Sequence, residues 1–157
     1  MEENMKQEVI LMGPEEADDF WELRRGLYEA VQPDLTEEDY KLLEAATREY
    51  YLAHINEDFY SWGIYQGDEI VAAGALTVFE RLPKPEDLRG REGYVVNIYT
   101  KPDRRKRGFA GQIVDHIIEF SRDNGFKRLW LYATDQGRPV YIPRGFEPKG
   151  DEMELLL

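Results

Sequence analysis

The residues of this chain best suited to chemistry stand in one short stretch, Tyr94-Val95-Val96-Asn97-Ile98-Tyr99-Thr100-Lys101-Pro102-Asp103-Arg104-Arg105-Lys106-Arg107-Gly108-Phe109-Ala110-Gly111. It reads as a buried strand that stops at Pro102 and turns through basic and glycine residues into a helix. Such a turn binds phosphate: the first amides of a helix have no partner within it, and the macrodipole makes that end electropositive. Five of the seven residues 101–107 are lysine or arginine in a chain of formal net charge -12, so the positive charge is local. The plain alternatives are a solvated basic run, or a localisation or nucleic-acid patch, and for Gly108 an ordinary strand-to-helix turn. A basic run of that kind, however, has no reason to abut Gly108 and an apolar helix. The stretch contains neither Gly-x-x-x-x-Gly-Lys-Ser/Thr nor Gly-x-Gly-x-x-Gly, which argues against a Walker nucleotide hydrolase and a dinucleotide fold.

A phosphate turn needs a strand and a helix to hold it, and the remaining pattern supplies both. Residues 9–12 are a short apolar stretch closed by Gly13-Pro14, expected as a first strand. Phe20, Trp21, Leu23, Leu27 and Tyr28 recur at helical spacing up to the Gln32-Pro33 break. Thr36 is placed to cap a second helix, with Asp39 reaching back, that runs to about His54. Residues 59–65 and 70–79 flank Gln66-Gly67-Asp68-Glu69 and predict a hairpin. Residues 82–93 read as a loop, 94–100 as a strand, and about 109–124 as a helix whose apolar stripe is Ala110, Ile113, Val114, Ile117 and Ile118. Residues 127–133 predict a short buried strand and 138–142 a brief helix ended by Pro143 and Gly145; Phe146 and residues 153–157 are expected as closing strands. This order is that of a mixed α/β domain. A helix of about fifteen residues between the strands at 94–100 and 127–133 predicts that they are parallel, joined by a right-handed crossover. Ligands bind at the C-terminal ends of such strands, where the basic turn lies.

Arg105-Lys106-Arg107-Gly108-Phe109-Ala110 resembles the Gln/Arg-x-x-Gly-x-Gly/Ala signature of the GNAT N-acetyltransferases. About thirty residues later, Tyr141-Ile142-Pro143-Arg144-Gly145-Phe146 looks like that family's second landmark, Tyr-x-x-x-Gly-Phe after the next strand. Pro143 and Arg144 depart from the usual Glu-Lys/Arg dipeptide, and Ala110 stands for the second glycine. The resemblance is sharp over residues 94–147 and topological over 1–93. It implies a GNAT-like acyl-CoA N-acyltransferase fold, α/β in the α+β mixed sense: a central, mostly antiparallel sheet with one parallel, splayed strand pair, flanked by helices.

The resemblance further implies acetyl-CoA as co-substrate and direct acetyl transfer, in a ternary complex, to a primary amine of a small molecule or peptide. The pantetheine arm would lie between the parallel strands on the backbone of Ile98 and Thr100. Amides of Arg105, Lys106, Arg107, Gly108, Phe109 and Ala110 would face the pyrophosphate, Arg105 or Arg107 adding a charged side chain, with Gly111 and Arg138 as further contacts. Tyr141, protonated at neutral pH with an ordinary pKa of about 10, would protonate the departing thiolate. Its plain alternative is a core aromatic with a wet hydroxyl. Glu92 and Glu80 are candidate bases, directly or through water, or else solvated loop charges. Asn97 would orient the acceptor, and an amide near Ile98 would polarise the thioester carbonyl. A non-catalytic acyl-CoA-binding or sensing module is the rival reading.

At 157 residues and 42% hydrophobic, the chain is expected to form one domain over residues 1–157. Without cysteine there is no disulfide, thiolate metal site or cysteine nucleophile; His54 and His116 are far apart in sequence, and no metal is expected. The acidic balance argues against a nucleic-acid partner and permits a cationic substrate. The longest apolar runs, near residues 70–79 and 113–120, fall short of the roughly 20 helical residues that span a bilayer. The acidic N-terminus has no run like a signal peptide's, so a cytoplasmic location without membrane contact is expected. The expected partners are acetyl-CoA and an amine acceptor, with a homodimer possible by analogy with the family.

Overall fold

The computed structural model describes residues 7–157. The acidic N-terminal stretch lies, as far as residue 6, outside the described residues. Five strands stand side by side in chain order: β1 (Val9–Leu11), β2 (Phe59–Gln66), β3 (Glu69–Glu80), β4 (Arg91–Thr100) and β5 (Leu129–Trp130). The first four are antiparallel to their neighbours, and β5 runs parallel to β4, as the intervening helix requires. Helices α1 (Ala17–Val31) and α2 (Glu37–His54) join β1 to β2, α3 (Phe109–Asp123) joins β4 to β5, and the short α4 (Arg138–Tyr141) follows. Thr36 starts α2 as its residue type predicts: its hydroxyl accepts from the Asp39 amide at 3.1 Å, and the Asp39 carboxylate accepts from the Thr36 amide at 2.8 Å. These bonds, the backbone one foremost, hold the Asp39 carboxyl below its usual range.

Both faces of the sheet are covered. Ile113 and Ile117 of α3 pack on Trp62, Ile64, Leu76 and Val95, while Phe20, Leu23 and Tyr51 of α1 and α2 pack on Phe59, Ile70, Ala73 and Ala75. The apolar stripe read from α3 accounts for this placement, with Ile113, Val114 and Ile117 fully buried. Among the described residues no helix is long and apolar enough to cross a membrane.

One irregularity organises β4. Ala73 pairs with Tyr99 and Ala75 with Val96, so Asn97 and Ile98 together oppose Gly74. Asn97 has φ 57°, the left-handed region that only a few residue types tolerate. The extra residue resets the alternation of the strand. Val95 and Ile98 belong to the α3 face, and Val96 and Tyr99 to the α1 face. It resets the hydrogen bonds too: the Gly93 N–H donates towards β5, to the Arg128 carbonyl at 3.0 Å, whereas the Lys101 N–H donates towards β3, to Val71 at 2.9 Å. Gly74 permits this packing, because a Cβ there would lie 2.4 Å from Ile98 Cδ1 and 2.7 Å from Ile113 Cγ2.

Three expectations need correction. β4 begins at Arg91, three residues earlier than expected, because Arg91, Glu92 and Gly93 pair with Glu80, Phe79 and Val78. β5 is two residues long instead of seven: its pairing with β4 stops at Trp130, while β4 runs on to Thr100. The closing strands at Phe146 and residues 153–157 do not form. Pro148 lacks a ladder donor, Gly150 costs extra backbone entropy, and the segment carries Glu147, Asp151, Glu152 and Glu154. Its side-chain tie to the body is the hydrogen bond from Tyr132 to Glu152 at 3.0 Å, and Met153, Leu155, Leu156 and Leu157 stay exposed.

Overpacking a core costs about 1–3 kcal/mol, so Gly74→Ala is expected to lower unfolding stability by that amount in urea titration; an unchanged midpoint would contradict the tight packing of Gly74 on Ile98.

Candidate active site

The basic turn divides into two groups. Lys101 pairs with Glu22 of α1 and Glu69 of β3, and Arg104 pairs with Glu69 and Asp103 while donating to the Gln66 side chain at 2.6 Å. These two cations staple the turn to the sheet. Arg105 curls back, its Nε donating to the Thr100 carbonyl at 3.1 Å and its guanidinium standing 5.6 Å from the centre of the Tyr99 ring. Arg105, Lys106 and Arg107 form no ion pair among the described residues. The uncompensated charge therefore lies at the last three residues before Gly108.

The backbone there is wound for anions. Lys106 has φ 64° and Gly108 φ 81°, a pair of left-handed residues of the kind that gathers consecutive N–H groups into a concavity. Gly108 is the N-cap of α3, supplies no capping side chain, and is followed by a first turn without an acidic residue. The first-turn amides of Phe109, Ala110 and Gly111 are thus left without a side-chain acceptor. Phe109 anchors the turn in the core, and Gly111 lies against α4's extension, where a Cβ would come 2.4 Å from Arg144 Nη2.

The sheet opens beside this turn. Pairing of β4 with β5 stops at Tyr94 and Trp130. Because the Lys101 N–H points to β3, alternation turns the N–H groups of Thr100 and Ile98 to the opposite edge, where no strand pairs with them among the described residues. Ile98, Thr100 and residues 105–111 are therefore brought together along one open edge that ends at the helix N-terminus.

Tyr141 sits in α4, with 9% of its surface exposed and its ring edge-on to Phe146 at 5.7 Å. Burial pushes its hydroxyl up from the ordinary tyrosine value. Arg144 ties this segment to α3, donating to the Asp115 carboxylate at 2.7 Å and to the Val140 carbonyl at 2.8 Å. Pro143 is accommodated because residues 142–144 continue α4 as a single tighter helical turn that needs no donor from it. Arg138 is exposed, 3.7 Å from Asp135, and lines with Tyr141, Phe146 and Leu131 an open cleft of about 680 Å³ alongside β5. The basic turn is not part of that cleft.

The candidate bases stand elsewhere. Glu92 is 4% exposed, and its Oε1 is shared by Arg81 at 2.5 Å and Arg128 at 3.1 Å, so it binds the β3–β4 loop to β5. Glu80 is exposed at the end of β3, paired in register with Arg91. Sequence reasoning missed Arg24. Its Nη1 donates to Asn97 Oδ1 at 3.0 Å, its Nε to Thr47 Oγ1 at 3.2 Å, and its guanidinium stands 5.0 Å from the Tyr28 ring centre. The available signal was a charged residue at helical spacing between Phe20 and Tyr28 on the apolar stripe of α1. On the same face Tyr94 stacks on Trp130 at 4.2 Å, with Tyr132 edge-on to both.

The sequence model of the Acetyltransferase (GNAT) family matches residues 18–146. An uncharacterized N-acetyltransferase of Bacillus subtilis, YsnE, is 29% identical over 91 residues, covering 55% of this chain and 54% of YsnE. YedL, an uncharacterized N-acetyltransferase of Escherichia coli, is 26% identical over 98 residues, covering 57% and 56%. The chain spans about half the length of these curated relatives. Among solved structures, a predicted acetyltransferase with acetyl-CoA from Clostridium acetobutylicum has a TM-score of 0.81 at 22% identity, covering 96% of both chains. A GCN5-related N-acetyltransferase from Ralstonia eutropha has a TM-score of 0.83 at 21% identity, covering 97% of this chain and 99% of its own. At such identities the likeness is one of fold.

A side chain in the left-handed conformation costs about 1–2 kcal/mol, so Gly108→Ala is expected to lower stability by that amount although space for the methyl exists. Chemical denaturation checks this, and no loss would mean that the turn relaxes freely.

Proposed function

This chain belongs to the acetyltransferase (GNAT) family, and on that premise we propose that it transfers an acetyl group from acetyl-CoA to a primary amine, of a small molecule or peptide, directly within a ternary complex. The observation that carries this reading is the junction of an uncompensated, amide-rich helix start with the open edge of β4. A pyrophosphate suits the first, and an extended amide-bearing arm suits the second by adding to the sheet edge. The residues present fit coenzyme A: amides of Arg105 to Gly111 and the charges of Arg105, Lys106 and Arg107 for the pyrophosphate, and the backbone of Ile98 and Thr100 for the arm. Arg138 stays a proposed contact of the same ligand, although it is exposed and lines the cleft beside β5 and not the basic turn. The crystallised Clostridium relative with acetyl-CoA supports the same ligand.

In the reaction the amine nitrogen bonds to the acetyl carbon as the carbon–sulfur bond breaks. The amine gives up a proton and the thiolate takes one. Tyr141 is the proposed donor to sulfur. Its buried hydroxyl stays protonated to higher pH than an ordinary tyrosine, and it makes no side-chain hydrogen bond among the described residues that would compete. The strand amide at Ile98 is the proposed donor to the acetyl carbonyl. With Glu92 held by two arginines and Glu80 at the far end of β3, the amine's proton is assigned to water.

Calorimetry tests the ligand. Acetyl-CoA is expected to bind, and the double change Arg105→Gln with Arg107→Gln to weaken it tenfold or more, since each charge-assisted contact is worth about 1.5–3 kcal/mol. Lys101→Gln, which loses only staples to Glu22 and Glu69, should leave that affinity nearly unchanged; no binding at millimolar ligand would sink the reading. Tyr141→Phe is expected to lower kcat without altering acetyl-CoA affinity, and unchanged turnover would remove Tyr141 from the mechanism. A raised pKa keeps the acid protonated, so the alkaline fall in kcat should lie above the ordinary tyrosine value of about 10. A fall centred below it would assign the limb to another group.

A further inference from the structure

We propose that the acceptor amine carries a carboxylate and that Arg24 holds it, with the Asn97 amide alongside. The inference rests on the acetyl-transfer reading above and names the substrate class of the same site.

Arg24 is anomalous among the arginines packed around α1 and α2. Arg25 pairs with Glu29 and Glu37, and Arg48 with Glu44 and Asp18. In a chain with 32 acidic and 20 basic residues such pairing is easily found. Arg24, half-buried against the sheet, forms no ion pair among the described residues; its partners are the Thr47 hydroxyl, the Asn97 side-chain Oδ1, and the hydroxyl and ring of Tyr28. A half-buried cation with only neutral partners favours an anion beside it.

A second observation points the same way. A guanidinium can only donate, so its bond to Asn97 fixes the amide with Oδ1 towards Arg24 and the NH2 group away from it. That Nδ2 is buried and has no hydrogen-bond partner among the described residues. Asn97 itself is 8% exposed and held in the left-handed bulge conformation. An unmet buried donor on the very amide that an ion-unpaired guanidinium holds favours an acceptor-only, planar, anionic group. A carboxylate has two oxygens in that geometry.

The place is right for an acceptor. Asn97 is the bulge residue next to Ile98, whose N–H faces the open edge, and its side chain meets Arg24 of α1, on the sheet face opposite α3. On that face of β4, one pleat before the bulge, Tyr94 stacks on Trp130 at 4.2 Å. The net charge of -12 opposes an incoming anion at long range, but salt screens exposed charges beyond about 8 Å at physiological strength. Recognition is then a short-range matter for Arg24.

Free amino acids and their carboxamides, matched in side chain, are the probes, titrated into protein saturated with CoA. Amino acids are expected to bind at least about tenfold more tightly than the amides, the scale of one charge-assisted contact. Arg24→Gln should abolish the difference, and Arg24→Lys should keep part of it. Equal binding of acids and amides by the unaltered protein, or no binding of either, overturns the proposal, as does an equal loss for both in Arg24→Gln, which marks a structural tether. The wild-type ratio decides even if Arg24→Gln fails to fold. Acetyl-CoA titration of the same preparation is separate: its failure strikes the acetyl-transfer reading instead.

Discussion

The bulge at Asn97 is the constraint on which the rest of this structure depends. One extra residue opposite Gly74 changes the parity of β4, so that side chains and backbone groups before and after it point to opposite sides. Before it, the strand donates to β5; after it, Lys101 donates to β3, and Ile98 and Thr100 are turned outward. The same reset sends Ile98 into the α3 core and Asn97 towards Arg24 on the other face. An unbroken strand would offer its edge with the other phase and leave neither arrangement.

Electrostatics complete what the backbone begins. A chain of net charge -12 concentrates cations at one turn, and the structure then separates those that brace from those that remain uncompensated. Lys101 and Arg104 are consumed by Glu22, Glu69 and Asp103. Arg105, Lys106 and Arg107 are left beside helix amides whose dipole has the same sign of potential. On the face covered by α1, Arg24 likewise forms no ion pair among the described residues. The cations without an ion pair thus lie at two separate places on either side of one bulge.

Much of the architecture was legible because it follows from local pattern. Thr36 with Asp39, the apolar stripe of α3 and the two-residue turn of the β2–β3 hairpin each act over a few residues, and each element formed within a few residues of its expected bounds. The signature from Arg105 to Ala110 was legible for the same reason, since strand, turn and helix are contiguous. What escaped was non-local. The bulge depends on Gly74 lying across from Asn97, and nothing in the local pattern of β4 announces it. Arg24 gains its meaning from Thr47 and Asn97, 23 and 73 residues away. The closing strands were misread because an apolar run at Met153 and residues 155–157 says nothing of whether a paired edge awaits it.

The proposed coenzyme A site runs along the open edge of β4 and ends with the phosphates at the start of α3. The most direct measurement is backbone amide NMR during a titration with CoA. The largest shifts are expected at residues 105–111 and at Ile98 and Thr100, with small changes at β1 and β2. Shifts confined to the cleft between β5 and α4, around Leu131 and Phe146, with none at Gly108, Phe109 and Ile98, would contradict it.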